Sequence, residues 1–111
     1  APVMVEDDNI NILGIRAPST LTELYAFIPI PTGYKATHVH VYTSAAKTNA
    51  VDVYEFNQRT GATSSKGLGD FNTLLNITDI TSGTQANIVI KILPASTATV
   101  IYGADITIAA V

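Results

Sequence analysis

A chain of 111 residues with 6 Lys and Arg against 9 Asp and Glu has no basic surface for nucleic-acid phosphates, so a nucleic-acid partner is excluded. The absence of cysteine excludes disulfides and thiolate chemistry, and no apolar run reaches the roughly 20 residues that a membrane-spanning helix needs. Hydrophobic residues make up 47% of the chain and charged residues 14%, a balance that favours a surface lying against other protein. The length predicts a single domain, residues 1–111.

Residues 1–9, APVMVEDDN, are predicted to form a short N-terminal arm. The acidic cluster at residues 6–8 is typical of a solvated terminus. The alternative is an arm that reaches a neighbouring subunit, with Val3, Met4 and Val5 as its apolar contact residues.

Two strands are predicted next, at residues 10–17 and 20–28, and each is followed by proline. The second reads TLTELYAFI and is apolar on both faces for much of its length. A strand of that kind is either central in a layered fold or part of a subunit interface. The predicted interface residues of this strand are Leu21, Leu24, Tyr25, Phe27 and Ile28.

The middle of the chain alternates apolar and polar residues between turns. After the turn at Gly33, YKATHVHVYTSA predicts a strand that places His38 and His40 on one face, with valines on the other. Residues 50–57 and 73–80 predict two more strands. Residues 58–70 contain three glycines and predict a long loop or a ragged hairpin.

The last quarter of the chain has the clearest alternation, with Ile88, Ile90 and Ile92 on one face of its first apolar run. Pro94 ends that run, so the run and the following one at residues 100–108 are predicted to form a hairpin or a corner between two sheets. About seven short strands without any helical periodicity predict an all-β fold. The expected architecture is an antiparallel β-sandwich, jelly-roll-like or Ig-like.

His38 and His40 are the candidate metal ligands, because residues two apart on a strand project from the same face. A site needs a third ligand, and Asp52 or Glu55 on the following strand is the close option in sequence. Two histidines without further spacing are more typical of a surface or an interface. No metal or other cofactor is therefore predicted.

Catalytic patterns are weak throughout the chain. Asp52 and Glu55 are predicted on opposite faces of their strand, so they cannot flank one sugar bond. The stretch GATSSKGLG at residues 61–69 lacks the spacing of a phosphate-binding loop, and no serine stands in a G-x-S-x-G setting. We predict that the protein is not an enzyme.

The tyrosines allow two interpretations. They can line a sugar-binding face, or they can cap the core with their hydroxyl groups at water, which is the commoner arrangement. These residues are Tyr25, Tyr34, Tyr42, Tyr54 and Tyr102.

Residues 33–44, 50–83 and 87–108 resemble, in their order, small all-β virion structural proteins of tailed bacteriophages of the cyanophage and marine phage type. The segments that carry the likeness are VDVYE, NITDITS, IKILPAS and IYGADITI. The likeness consists of strands and turns, not of a catalytic motif.

This resemblance implies a capsid decoration (cement) protein on the capsid surface of the virion. Its partner would be the major capsid protein of the same virion, and it would form a homo-oligomer, with a trimer favoured because such assemblies close by point symmetry. The family has no catalytic residues to carry over. The main alternative is a tail or fibre module that binds a host-surface glycan, with exposed aromatic residues among Tyr34, Tyr42 and Tyr54. A small hydrolase or metal enzyme built on His38 and His40 is the third class.

Overall fold

The described part of the computed structural model of the protein contains seven β-strands, which confirms the predicted all-β sandwich. The structure describes residues 23–83, 86–94, 96 and 98–111. Nowhere in these ranges is there a helix that could cross a membrane. The strands are β1 (Leu24–Pro29), β2 (Tyr34–Thr43), β3 (Val51–Asn57), β4 (Thr63–Gly69), β5 (Leu75–Thr81), β6 (Ala86–Ile92) and β7 (Ile101–Ala110).

The strands form two antiparallel sheets, one of four strands in the order β1-β6-β3-β4 and one of three in the order β5-β2-β7. In an Ig-type sandwich the last two strands lie side by side in one sheet. Here β6 and β7 belong to different sheets. The strand order therefore agrees with the jelly-roll alternative and not with the Ig-like one.

This strand order is that of one long antiparallel hairpin, here called the ribbon, which winds into the two sheets. Strand β3 pairs with β4, β2 with β5, and β1 with β6, so the chain folds back on itself around the β3–β4 turn. The β3–β6 and β2–β7 pairs then join neighbouring turns of the ribbon. Winding a long hairpin in this way produces the Greek-key connections of a jelly roll.

The isoleucine face of β6 lies in the centre of the core, as its alternation predicts. Ile88, Ile90 and Ile92 are buried, and β6 lies between β1 and β3 in its sheet. The inward residues of the other sheet close the core from the opposite side: Ala36, Val39, Val41, Ile77 and Ile80. Both sheets thus contribute β-branched side chains to one continuous core, as in other sandwiches.

The connection between β6 and β7 is the predicted corner and not a hairpin, because the two strands lie in different sheets. Backbone hydrogen bonds hold both ends of the corner against the β2–β3 connection. The Leu93 amide donates to the Ala50 carbonyl at 3.1 Å, and the Ser44 amide donates to the Val100 carbonyl at 2.9 Å. This end of the sandwich is therefore closed by two connections bonded to each other.

Residues 58–70 form the second half of a hairpin, so the long-loop alternative is wrong and the hairpin alternative is the one observed. The turn is tight because Gly61 has a positive φ of 75° and donates its amide to the Asn57 carbonyl at 2.8 Å. Strand β4 has few apolar residues, and its pairing with β3 fixes it in the sheet.

Strands β4 and β5 close one flank of the sandwich by a close approach at two glycines. A Cβ added to Gly67 would lie 2.9 Å from Cγ2 of Ile77, and one added to Gly69 would lie 2.8 Å from Cδ1 of Leu75. The Ile77 methyl is fixed next to its own backbone in the core, whereas the end of the Leu75 side chain can rotate toward solvent.

Gly67→Ala is therefore expected to lower the free energy of unfolding by about 1–3 kcal/mol through overpacking. The matched control, Gly69→Ala, is expected to change it much less, because Leu75 can move aside. Urea unfolding of both variants compares them directly. Equal midpoints for the two variants would contradict the close approach of β4 to Ile77.

Candidate interaction surface

Four aromatic side chains cover the outer surface of the four-stranded sheet, and we call this surface the aromatic face. It consists of Tyr25 and Phe27 from β1 and Tyr54 and Phe56 from β3. These residues point outward because their neighbours along each strand point into the core. Strands β1 and β3 flank β6, which brings aromatic residues from distant parts of the sequence onto one surface.

The aromatic face is packed, yet part of it remains open to solvent. Phe27 and Phe56 meet edge to face with ring centroids 5.9 Å apart, a favourable aromatic geometry. Val89 on β6 lies between Phe27 and Tyr54 on the outer surface and is only 6% exposed, whereas Phe27 is 49% exposed. The outer face of an antiparallel sheet is usually polar, so the aromatic layer makes this face a candidate contact surface.

Charged groups border the aromatic face and fix its tyrosine hydroxyls. Tyr54 donates to Oδ2 of Asp52 at 2.6 Å, and Nζ of Lys91 lies 3.9 Å from the same oxygen. The Lys91 ammonium also lies 5.8 Å from the centroid of the Tyr54 ring, within cation–π range. Tyr25 donates to the carboxylate of Glu23. The surface therefore combines an apolar centre with an ordered polar border, which is the usual composition of a protein interface.

These hydrogen bonds affect titration of the aromatic face at alkaline pH. The bond to Asp52 raises the pKa of Tyr54 above its ordinary value, and the bond to Glu23 raises the pKa of Tyr25 in the same way. A raised pKa in the folded state means that the neutral phenol stabilises the fold. That stability is fully present below pH about 10, where the unfolded chain titrates, and is lost as pH rises through the folded pKa.

Tyr54→Phe is accordingly expected to lose less stability than the unchanged protein as the pH rises above about 10. Thermal unfolding measured at a series of alkaline pH values tests this expectation. Tyr102→Phe is the control, because Tyr102 is half-exposed on β7, away from this face. A pH dependence unaltered by Tyr54→Phe would show that the bond to Asp52 does not form in solution.

The three tyrosines predicted for glycan binding do not lie together. Tyr34 and Tyr42 are exposed at opposite ends of β2, in the three-stranded sheet, whereas Tyr54 lies on the other sheet. Tyr42 donates to Oδ2 of Asp105 at 2.8 Å, which raises the pKa of Tyr42. The aromatic pair that the fold does bring near one another is Tyr25 and Tyr54.

The two histidines project outward from β2, as predicted, but neither proposed carboxylate lies beside them. His40 stacks on the Tyr42 ring with centroids 4.2 Å apart, and Nδ1 of His38 lies 2.8 Å from the Thr37 hydroxyl. Asp52 and Glu55 belong to β3 in the opposite sheet, so neither can complete a site with the histidines. Across the described ranges, no three His, Cys, Asp or Glu side chains are grouped for a metal ion.

The structure divides the predicted interface residues into distinct environments. Leu24 is buried in the core of its own sandwich, and Ile28 packs partly against that core. Tyr25 and Phe27 lie on the aromatic face. The remaining predicted contact residues, Val3, Met4, Val5 and Leu21, lie outside the described residues.

The place of Asp52 and Phe56 on this surface was not predicted, and Tyr54 was predicted only as a residue of the alternative glycan-binding face. Alternation in residues 50–57 does place Asp52, Tyr54 and Phe56 on one face, which is the sequence feature that could have indicated them. Their meeting with Tyr25 and Phe27 depends on the position of β6 between β1 and β3. Strand order of this kind cannot be derived from alternation.

The fold and this surface define a jelly-roll-like sandwich with an outward aromatic face, an architecture that serves many unrelated functions. A scan against protein-family models finds no match, and no curated protein or solved structure matches the chain. The function is therefore inferred from the residues of this surface.

Proposed function

We propose that the protein is a structural virion component, a capsid decoration protein that binds the major capsid protein through its aromatic face. The observation that supports this proposal is the outward-facing aromatic layer on the four-stranded sheet, in which Phe27 is 49% exposed and packs edge to face against Phe56. The resemblance of residues 33–44, 50–83 and 87–108 to phage virion proteins supports the same role.

The chemistry of the aromatic face suits protein contact. Tyrosine and phenylalanine bury large apolar areas with few rotatable bonds, and aromatic residues are enriched in protein interfaces. The surrounding charges are already paired: Lys91 lies near Asp52, and Tyr54 donates to that same carboxylate. A partner can therefore cover the aromatic centre without burying an unpaired charge, which is the costly event in interface formation.

A homo-oligomer, with a trimer favoured, remains part of the proposal. The low charged fraction of 14% suits a molecule surrounded by neighbouring subunits. In this arrangement the arm at residues 1–9 supplies a second contact through Val3, Met4 and Val5. Attachment through a sheet face together with an arm gives two linked contacts, which strengthens binding by raising the effective concentration of the second contact.

Cosedimentation tests the proposal. The purified protein is mixed with phage heads that lack it, and the heads are then pelleted. The expected result is saturable binding with a fixed number of copies per major capsid protein. No binding at any concentration, with the protein remaining in the supernatant, would contradict a decoration role.

The second candidate function, binding of a host-surface glycan, is favoured by one arrangement on the same face. Tyr54 presents an aromatic ring next to an ordered carboxylate and ammonium group, Asp52 and Lys91. A glycan array distinguishes the two functions. Binding to a defined glycan that Tyr54→Ala abolishes would favour the glycan module, and a blank array together with saturable head binding would favour decoration.

A further inference from the structure

We propose that residues 10–17 of the same chain form an eighth strand, paired antiparallel with the outer edge of β7. The proposal concerns this edge, which has no partner strand among the described residues, and the part of the inner face of β7 that is open to solvent. It does not depend on the proposed function.

Strand β7 is a ten-residue edge strand whose pairing partner, among the described residues, is β2 alone. Its outer edge therefore presents a row of backbone amides and carbonyls without a partner strand in that part of the chain. Long, apolar edges of this kind pair readily with another strand, and natural proteins cover them.

The inner face of β7 continues the core but is covered only in part, with Ile106 packed against the core. Ile106 and Ile108 pair in register with Val39 and Ala36, which are buried, so all four side chains point inward. Ile108 is nevertheless 42% exposed. The apolar layer under β2 thus extends beneath β7 and ends at an open flank, opposite the flank that β4 and β5 close.

The winding of the ribbon identifies the segment that covers this flank. Every strand from β1 to β6 has its partner along the ribbon: β3 with β4, β2 with β5, β1 with β6. Continuing outward, the partner of β7 is the segment that precedes β1. A jelly roll has eight strands, and residues 10–17 are the predicted strand in that position.

The ends of the strands are correctly placed for this pairing. Ile101 begins β7 beside Thr43, and residues 44–50 lead from Thr43 to Val51. Val51 begins β3 and Leu24 begins β1, and both residues pair with Ile92. Strand β1 therefore begins at the same end of the sandwich as β7. A strand antiparallel to β7 would end at that same end of the sandwich. The six residues that would link it to β1, residues 18–23, reach roughly 20 Å when extended. This reach exceeds the roughly 10 Å between packed sheets.

The sequence INILGIRA at residues 10–17 fits this position. On a strand, Leu13, Ile15 and Ala17 share one face, which would cover Ile106 and Ile108. Ile10, Ile12, Gly14 and Arg16 fall on the other face, toward solvent. In this arrangement residues 1–9 leave the sandwich at its other end, where the Val111 amide donates to the Gly33 carbonyl at 2.9 Å.

Paired cysteines test the proposal cleanly, because the chain has no cysteine of its own. Thr107 lies exposed on the outer face of β7, and Thr107→Cys is combined in turn with Ile10→Cys, Ile12→Cys or Gly14→Cys to span the possible registers. The control combines Ile12→Cys with Thr78→Cys, an exposed position on β5 at the far edge of the same sheet.

After mild oxidation, we expect at least one Thr107→Cys pair to form a disulfide within a single chain, and the control pair to form none. Mass spectrometry and non-reducing electrophoresis give both results. Absence of a disulfide in all three pairs would overturn the proposal. Disulfides that link two chains would also overturn it, since the strand would then come from a second copy.

Amide exchange of the unmodified chain provides a second measurement. Pairing on both edges predicts slow exchange for consecutive amides of β7, including those directed away from β2. The outer-edge amides of β1 serve as the reference. If the outward amides of β7 exchange as fast as that reference, residues 10–17 do not pair with β7.

Discussion

Replacing Ile90 with alanine is expected to lower the free energy of unfolding by about 2–5 kcal/mol. Ile90 is 0% exposed and lies in the middle of β6, between Ala26 on β1 and Val53 on β3. Both neighbours are held in the backbone ladder of the sheet, so they cannot move into the space that the lost side chain leaves. The loss is a large share of the roughly 5–15 kcal/mol that stabilises a typical domain.

Urea or thermal unfolding measures this loss, and Leu74→Ala is the control. Leu74 is 57% exposed and precedes β5, so its truncation should change stability by no more than about 0.5 kcal/mol. Similar losses for the two variants would show that β6 does not occupy the centre of the core.

Phe27→Asp is expected to weaken attachment to phage heads by roughly 30-fold or more, the effect of losing an interface residue worth about 2 kcal/mol. Phe27 supplies the most exposed ring of the aromatic face and contacts Phe56. An aspartate there would place an unpaired carboxylate in the apolar centre of the contact. Because the Phe27 ring is half-exposed in the free protein, the change should leave the fold intact.

Leu74→Asp is the matched control for attachment, because it introduces the same charge at an exposed apolar position outside the aromatic face. It should bind heads as the unchanged protein does. Equal binding by Phe27→Asp and Leu74→Asp would remove the aromatic face from the contact.

Local alternation determines much of this fold and can be read from the sequence. Ile88, Ile90 and Ile92 point into the core as their spacing predicts, and Pro94 does end that run. The outward direction of His38 and His40 was also predictable, because the valines between and after them face inward. In each case the side chain's face depends on near neighbours in the sequence.

Strand order depends on contacts between distant segments, so alternation does not reveal it. The sequence suggested Asp52 as a ligand for the histidines because β3 follows β2 directly. The ribbon instead winds consecutive strands β2 and β3 into opposite sheets. The same winding places Tyr25 near Tyr54, which is why the aromatic face was predicted only in part.

Strand β4 was predicted only as part of a ragged hairpin, with a long loop as the alternative, for a different reason. Its sequence, TSSKGLG, has no apolar alternation and contains two glycines. The strand forms because β3 provides a complete backbone partner, and Gly67 is required there by the nearby Ile77 side chain. Tertiary contacts of this kind override the weak strand propensity of serine and glycine.

Electron imaging of intact particles, at a resolution that places each sandwich and its orientation, tests the decoration role. We expect the sandwich on the outside of the head, with Phe27 and Phe56 against the major capsid protein. A sandwich located in the tail, or one on the head with its aromatic face turned to solvent, would contradict it.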